Sequence, residues 1–121
     1  MIIAKKGVTL VGVNPILLAV GLPCFDQTVA LEYGPLAPPW TVITSATGGK
    51  HKRASLHLSG NAVDVRSRHY EDWDNQKKGD VAALVSDLLG ADFDVLFEDT
   101  LKHPDGSFAR YEHFHMEWQP K

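Results

Sequence analysis

The chain has 121 residues, a formal net charge of −3 and a single cysteine, Cys24. This length suits one domain, so we expect residues 1–121 to form a single catalytic domain. An acidic chain without stripes of Lys and Arg interleaved with aromatic residues excludes nucleic acid as an expected partner. One cysteine cannot form an internal disulfide, so packing, with or without a bound metal, must hold the fold.

An uncharged run from Gly7 to Phe25 follows two lysines and superficially resembles a signal peptide. Glycines and the Asn14-Pro15 pair interrupt this run, which makes it too broken for a membrane span. We therefore interpret it as the first core elements of the domain. We expect a protein that is made in the cytoplasm and has no membrane partner.

The first half of the chain predicts two short helices in front of a strand. Asn14 and Pro15 are typical of an N-cap and a first helical residue, and Gly21 and Pro23 are expected to end that helix. Apolar spacing then predicts a second helix from 25 to 33. A run rich in β-branched residues, 40 to 45, predicts a strand.

The second half predicts three strands and one helix. Alternation over 61 to 66 indicates a strand in which Asp64 points away from Val63 and Val65. A polar segment, 68–78, is expected to be exposed apart from Tyr70 and Trp73, which would cover the edge of the active face. The remaining predictions are a helix 80–89 ended by Gly90, a strand 93–98, a long turn 99–110 and a last strand 111–118. This order of elements predicts an α+β fold with a small, largely antiparallel sheet against which the helices pack.

Metal-ligating residue types occur at two places in the chain. His57 and Asp64 stand seven residues apart with Gly60 between them, and the segment Glu112 to Glu117 adds two histidines and two carboxylates. Two histidines and one aspartate would leave a tetrahedral zinc ion with one open position for water. That arrangement is typical of a hydrolytic site rather than a closed structural one.

The motif Ser55-x-His57-x-x-Gly60-x-Ala62-x-Asp64, followed by Glu112-x-x-His115, resembles the zinc D,D-peptidase and L-alanyl-D-glutamate peptidase family. The fold of this family is shared with the N-terminal signalling domain of hedgehog. Further similarity to short phage and prophage members lies in Thr44-Ser45, Gly49-Lys50-His51, Val65-Arg66 and Phe93-Asp94-Val95-Leu96. The resemblance implies one Zn²⁺ per chain, on the open face of the sheet, with His57, Asp64 and His115 as ligands and Glu112 as general base.

One stretch departs from the family pattern. Many relatives have Gly-Tyr-Arg after the Thr-Ser pair, with the arginine placed to polarise the scissile carbonyl, whereas this chain has Ala46-Thr47-Gly48. We expect Lys50 to take that role, with Lys52 and Arg53 as alternatives. Ser55 and Arg53 are the expected substrate-binding residues.

The identity of the base depends on which argument is followed. By period-two alternation His113 and His115 share one face of the last strand, while Glu112 faces the core with Phe114. Alternation therefore favours His113 as the base, whereas the resemblance favours Glu112, which then requires a bulge at the start of the strand. We adopt Glu112, with His113 as an auxiliary that hydrogen-bonds the tetrahedral intermediate. Glu117 is expected to orient the free N–H of a ligand histidine.

The resemblance implies a monomeric zinc peptidase, of D,D-carboxypeptidase or L-alanyl-D-glutamate endopeptidase type, that hydrolyses bacterial peptidoglycan peptides. Similarity to phage lysis enzymes implies an endolysin-like protein made in the host cytoplasm. It would act on the cell wall after release, or as part of a phage particle. Two alternatives stay open: a non-catalytic zinc-stabilised binding or structural module, and a cytoplasmic D-Ala-D-Ala dipeptidase.

Overall fold

The computed structural model describes residues 1–47, 56, 57, 59–102 and 105–120. Its elements are β1 (Ile2–Ala4), a π-helical turn (Leu17–Gly21), α1 (Leu22–Tyr33), β2 (Thr41–Ser45), β3 (Ala62–Val65), α2 (Asn75–Leu89), β4 (Phe93–Lys102) and β5 (Phe108–Trp118). Within these ranges no helix is long and apolar enough to cross a membrane.

The strands form one mixed five-stranded sheet in the order β1-β2-β3-β5-β4. β1 and β2 are parallel, and the pairs β2–β3, β3–β5 and β4–β5 are antiparallel. The predicted α+β class is confirmed. The parallel edge strand makes the sheet mixed.

Both helices pack on the same face of the sheet. Phe25 of α1 places its ring 5.0 Å from that of Phe114 in β5. A Cβ on Gly21 would lie 2.6 Å from Met116 Sδ and 3.3 Å from Phe93 Cε1, so a larger residue there would require the Met116 side chain to shift. His115 and Glu117, which alternate with Phe114 and Met116 along β5, therefore face the opposite side.

The predicted break between two N-terminal helices is wrong, because the π-helical turn runs directly into α1. Leu22 N–H donates to Leu17 O across the junction, and Pro23, which has no N–H to donate, follows directly after this π-helical bond. The predicted cap at the start is present, since Asn14 Oδ1 accepts a hydrogen bond from Ile16 N at 3.1 Å.

α2 starts five residues before the predicted position. Asp74 is its N-cap and accepts a hydrogen bond from Lys77 N at 2.8 Å. The first turn of α2 is polar, so apolar spacing did not predict that the helix begins there. Lys78 is consequently a helical residue that is only 5% exposed, so its predicted exposure is wrong, whereas most of the segment 68–78 is exposed as predicted. Tyr70 and Trp73, the two exceptions expected in this segment, are buried.

The hairpin of β4 and β5 is longer, and its turn shorter, than the sequence predicted. Its register shifts once: Glu98 lies opposite His113 and Thr100 opposite Arg110. Two steps along β4 thus match three along β5, so β5 carries a β-bulge at residues 111–112. The bulge expected beside Glu112 is present.

Candidate metal centre

Three side chains converge in the first candidate metal site: His57, Asp64 and His115 place one ligand atom each within 4.8 Å of one another. Asp64 Oδ1 lies 2.9 Å from His115 Nδ1 and 3.4 Å from His57 Nε2. Two ligand atoms on a tetrahedral zinc ion lie roughly 3.3 Å apart when each metal–ligand bond is about 2.0–2.1 Å. The spacing of these donors, and their types, therefore fit a divalent metal ion.

Strand pairing brings two of these residues together. Asp64 of β3 lies directly opposite His115 of β5 in an antiparallel pair. Directly opposed residues place their Cβ atoms on the same face of a sheet, about 4.5–5.5 Å apart. Because Phe114 and Met116 face the helices, Asp64 and His115 lie on the other face.

His57 reaches this pair from a tight turn that depends on Gly60. Gly60 N donates to His57 O, and Gly60 O accepts from Asn14 N at 2.8 Å. Gly60 has φ +82°, and a Cβ there would lie 1.9 Å from Gly12 O. Glycine is thus required twice, for the backbone conformation and for the contact that presses the turn against the N-terminal segment.

Each histidine of the group has a polar neighbour for its second ring nitrogen. His57 Nδ1 lies 3.1 Å from Ala46 O, so the tautomer with a proton on Nδ1 donates to this carbonyl and leaves Nε2 as a ligand atom. His115 Nε2 lies 3.5 Å from Glu117 Oε1. Glu117 thus lies beside His115, and its orienting role stays a prediction.

The histidines around Asp64 favour the ionised form of its carboxylate. Burial raises the pKa of Asp64, but hydrogen bonds from His115 and His57 outweigh burial and hold that pKa well below its ordinary value. Burial lowers the pKa of His115, but the hydrogen bond to Asp64 has the larger opposite effect. The pKa of His115 is therefore raised above its ordinary value. A proton on His115 would therefore compete with a metal ion bound by this group at acid pH.

His113 lies in the same group of side chains. Its Nε2 is 3.7 Å from Asp64 Oδ1 and 3.9 Å from Glu98 Oε1. Glu98, His113 and His115 form a second set of metal-ligating side chains within 4.8 Å. The sequence did not single out Glu98, because its position opposite His113 follows only from the register of the long hairpin.

Glu112 stands beside these sets and belongs to neither. Its Oε2 accepts hydrogen bonds from Lys78 Nζ at 3.0 Å and from Ser67 Oγ at 3.1 Å, while its Oε1 is 4.0 Å from Arg68 Nε. Burial raises the pKa of Glu112, and the bonds from Lys78 and Ser67 lower it further than burial raises it, so the carboxylate is favoured. Glu112 and His113 line one cleft of about 230 Å³.

Three of the predicted site residues, Lys50, Arg53 and Ser55, lie outside the residues that the structure describes, as does the alternative Lys52. Lys78 and Ser67, in contrast, were missed. The signal for Lys78 was the Asp74 cap, because a helix that begins there puts Lys78 on the same face as Val81 and Val85.

The chain matches no protein-family model, no curated protein and no solved structure. The fold and the site define an α+β domain in which histidine and aspartate side chains on one sheet face can hold a metal ion.

Proposed function

We propose that this chain is a zinc-dependent peptidase that hydrolyses the peptides of bacterial peptidoglycan, similar to phage and prophage endolysins. The observation that carries the proposal is the convergence of His57, Asp64 and His115, the residues that the motif resemblance names as zinc ligands. A loop and two strands that are distant in sequence supply this trio, with ligand atoms at spacings that suit a zinc ion.

The donor set supports zinc over a harder cation. Two imidazole nitrogens and one carboxylate oxygen suit Zn²⁺, whereas Ca²⁺ and Mg²⁺ take mainly oxygen ligands. When bound, zinc would supply a Lewis acid that polarises a carbonyl and lowers the pKa of water toward neutrality.

In this mechanism Glu112 accepts the proton of the attacking water and delivers it to the leaving amine. Both hydrogen bonds that anchor its carboxylate go to Oε2. Among the described residues, Oε1 has only the Arg68 guanidinium near it, at 4.0 Å. The anchored carboxylate is thus ionised, as a base must be, and keeps one oxygen for proton transfer.

His113 and a cation act on the developing negative charge. His113 donates a hydrogen bond to the tetrahedral oxyanion in this proposal, which the distance of 3.7 Å between His113 Nε2 and Asp64 Oδ1 supports. Lys50 remains our proposed electrophilic helper in place of the family arginine, with Ser55 and Arg53 in contact with substrate.

The proposal is tested by the release of free amino groups from purified peptidoglycan. We expect release by the zinc-loaded protein, loss of release after chelation, and recovery when zinc returns. Asp64→Asn should be inactive, whereas Asp87→Asn, the same change on the exposed side of α2, should be active. A zinc-loaded, folded protein that releases no amino groups contradicts a peptidase and leaves a binding module.

A further inference from the structure

We propose that a cationic cleft beside the metal centre binds a carboxylate of the substrate peptide next to the bond that is cut. The inference rests on the proposed function and names the substrate class, a peptide that carries a free carboxylate. The cationic cleft has a volume of about 230 Å³ and is lined by Lys5, Thr44, Arg66, Arg68, Glu112 and His113.

The sheet brings two of the cations together. Lys5 follows β1, and its N–H donates to Ile43 O of β2 at 2.8 Å. Arg66 follows β3, and its N–H donates to Val42 O of the same strand at 2.9 Å. Because β2 lies between β1 and β3, Lys5 and Arg66 flank this strand from opposite sides.

Two of the described cations of the cationic cleft, Lys5 and Arg66, lack an acidic partner among the described residues. Among the described residues that line the cleft, Glu112 is the one carboxylate, and it already accepts a hydrogen bond from Lys78 and lies 4.0 Å from Arg68 Nε, so the charges at issue are those of Lys5 and Arg66. Within the described part of the chain, neither Lys5 nor Arg66 has an acidic side chain within ion-pair distance. In a chain of net charge −3, this is a local excess of positive charge that a bound anion would neutralise.

Its position ties the cationic cleft to the chemistry. His113 lines the cleft and also lies 3.7 Å from Asp64 of the metal centre. A peptide bound with its scissile bond at the metal centre would therefore place an adjacent group in the cleft. The volume is below the range of about 300–1,000 Å³ that holds a whole drug-sized ligand, so the cleft suits one substituent.

An arginine in such a cleft discriminates between a carboxylate and its amide. A guanidinium can donate two parallel hydrogen bonds to a carboxylate, whereas an amide carries no charge and offers it only one oxygen. Peptidoglycan stem peptides carry carboxylates at D-glutamate and at the C-terminus. Amidation of the carboxylate that enters the cleft should weaken catalysis.

The test uses L-alanyl-γ-D-glutamyl-L-lysyl-D-alanyl-D-alanine and two monoamides, one at the D-glutamate α-carboxylate and one at the C-terminus. We expect one monoamide to have a kcat/KM about 10–100-fold below that of the free acid, the cost of one charged hydrogen-bonded contact. In Arg66→Gln the acid and that amide should be cut at nearly equal rates. Lys5→Gln should reduce the preference in the same direction.

Lys6→Gln is the matched control, since it removes the same charge from the neighbouring residue, which does not line the cleft. It should keep the full preference for the acid. Equal cleavage of all three peptides by the unmodified protein, or an undiminished preference in folded Arg66→Gln, overturns the proposal.

Calorimetric binding of the same three peptides separates this inference from the proposed function. If no peptide is cut but the acid binds more tightly than one amide, and Arg66→Gln removes the difference, the carboxylate site stands and the peptidase assignment falls. If the peptides are cut normally, and the affinity and kcat/KM are the same for the acid and both amides, the peptidase assignment stands and the carboxylate site falls.

Discussion

Lys78 of α2 donates a hydrogen bond to Glu112 of β5 at 3.0 Å, and this contact joins the helical layer to the bulged start of the last strand. The Lys78 side chain is 6% exposed and that of Glu112 is 23% exposed. Ser67 donates to the same oxygen of Glu112. The contact fixes one carboxylate oxygen of Glu112, which lines the cleft, so the proposed base is positioned by a residue of the helical layer.

Glu112→Gln should keep zinc while turnover falls by a factor on the order of 10²–10⁴, the usual contribution of general acid–base catalysis. An amide keeps the shape of the carboxylate but cannot accept the proton. His113→Ala should lose less, because it removes only part of the stabilisation of the oxyanion. Steady-state kinetics on a stem peptide, with zinc content measured in parallel, checks this order.

The control is Glu71→Gln, the same change at an exposed residue, which should behave like the unmodified protein. Near-normal turnover in Glu112→Gln together with inactive, zinc-loaded His113→Ala would make His113 the base. Alternation along β5 would then have been the better guide than the resemblance.

Lys78→Met should lower turnover less than Glu112→Gln, because the base remains but loses its anchor. It should also shift the acid limb of the kcat/KM profile to higher pH. Lys78 helps to lower the pKa of Glu112, so its removal raises that pKa and protonates the base at a higher pH. Lys77→Met, a change at the more exposed neighbouring lysine that pairs with Glu32, should leave the profile in place.

The ion pair of Lys78 and Glu112 also predicts how the free energy of unfolding depends on pH. The pKa of Glu112 is lower in the folded chain than in the unfolded one, so its contribution is present above the unfolded value of about 4.3. That contribution is lost as pH falls through the folded pKa. Denaturant unfolding at several acid pH values should show a smaller loss for Lys78→Met than for the unmodified protein. An identical loss would contradict the pairing.

Gly60→Ala should destabilise the fold and weaken metal binding. The positive φ alone costs about 1–2 kcal/mol for an alanine, and the contact of its Cβ at 1.9 Å from Gly12 O must force the turn that carries His57 to move. Gly7→Ala is the matched control, since Gly7 has φ +89° and nothing within 4 Å of an added Cβ. Equal losses of unfolding free energy in the two variants would show that the contact has no role.

Metal content tests the ligand set directly. We expect native mass spectrometry to find one zinc per chain, and Asp64→Asn and His115→Ala to lose it. Because metal ligation also contributes folding free energy, chelation should lower the melting temperature. A full zinc equivalent in His115→Ala would exclude this trio.

The sequence predicted the features that depend on local pattern. Period-two alternation placed Asp64 on the face opposite Val63 and Val65, and strand pairing then set it beside His115. The Asn14 cap and the strand at β2 were likewise readable from a few adjacent residues.

Features that depend on tertiary contacts were not predictable in the same way. The helix passes Pro23 because a π-helical turn precedes it, and the close approach at Gly21 involves residues more than 70 positions away. Glu98 joins His113 only through the register of the hairpin. Lys78 appeared to be a solvated residue because neither Glu112 nor Ser67 is near it in sequence.

The most direct test of the central claim is digestion of purified peptidoglycan in ¹⁸O-enriched water, followed by mass analysis of the fragments. Hydrolysis of a peptide bond should place one ¹⁸O in a new carboxylate of a stem peptide, with the zinc-loaded protein and with Asp87→Asn but not with Asp64→Asn. Label at a sugar reducing end, or unlabelled and uncut stem peptides after digestion by the zinc-loaded protein, would contradict a zinc peptidase.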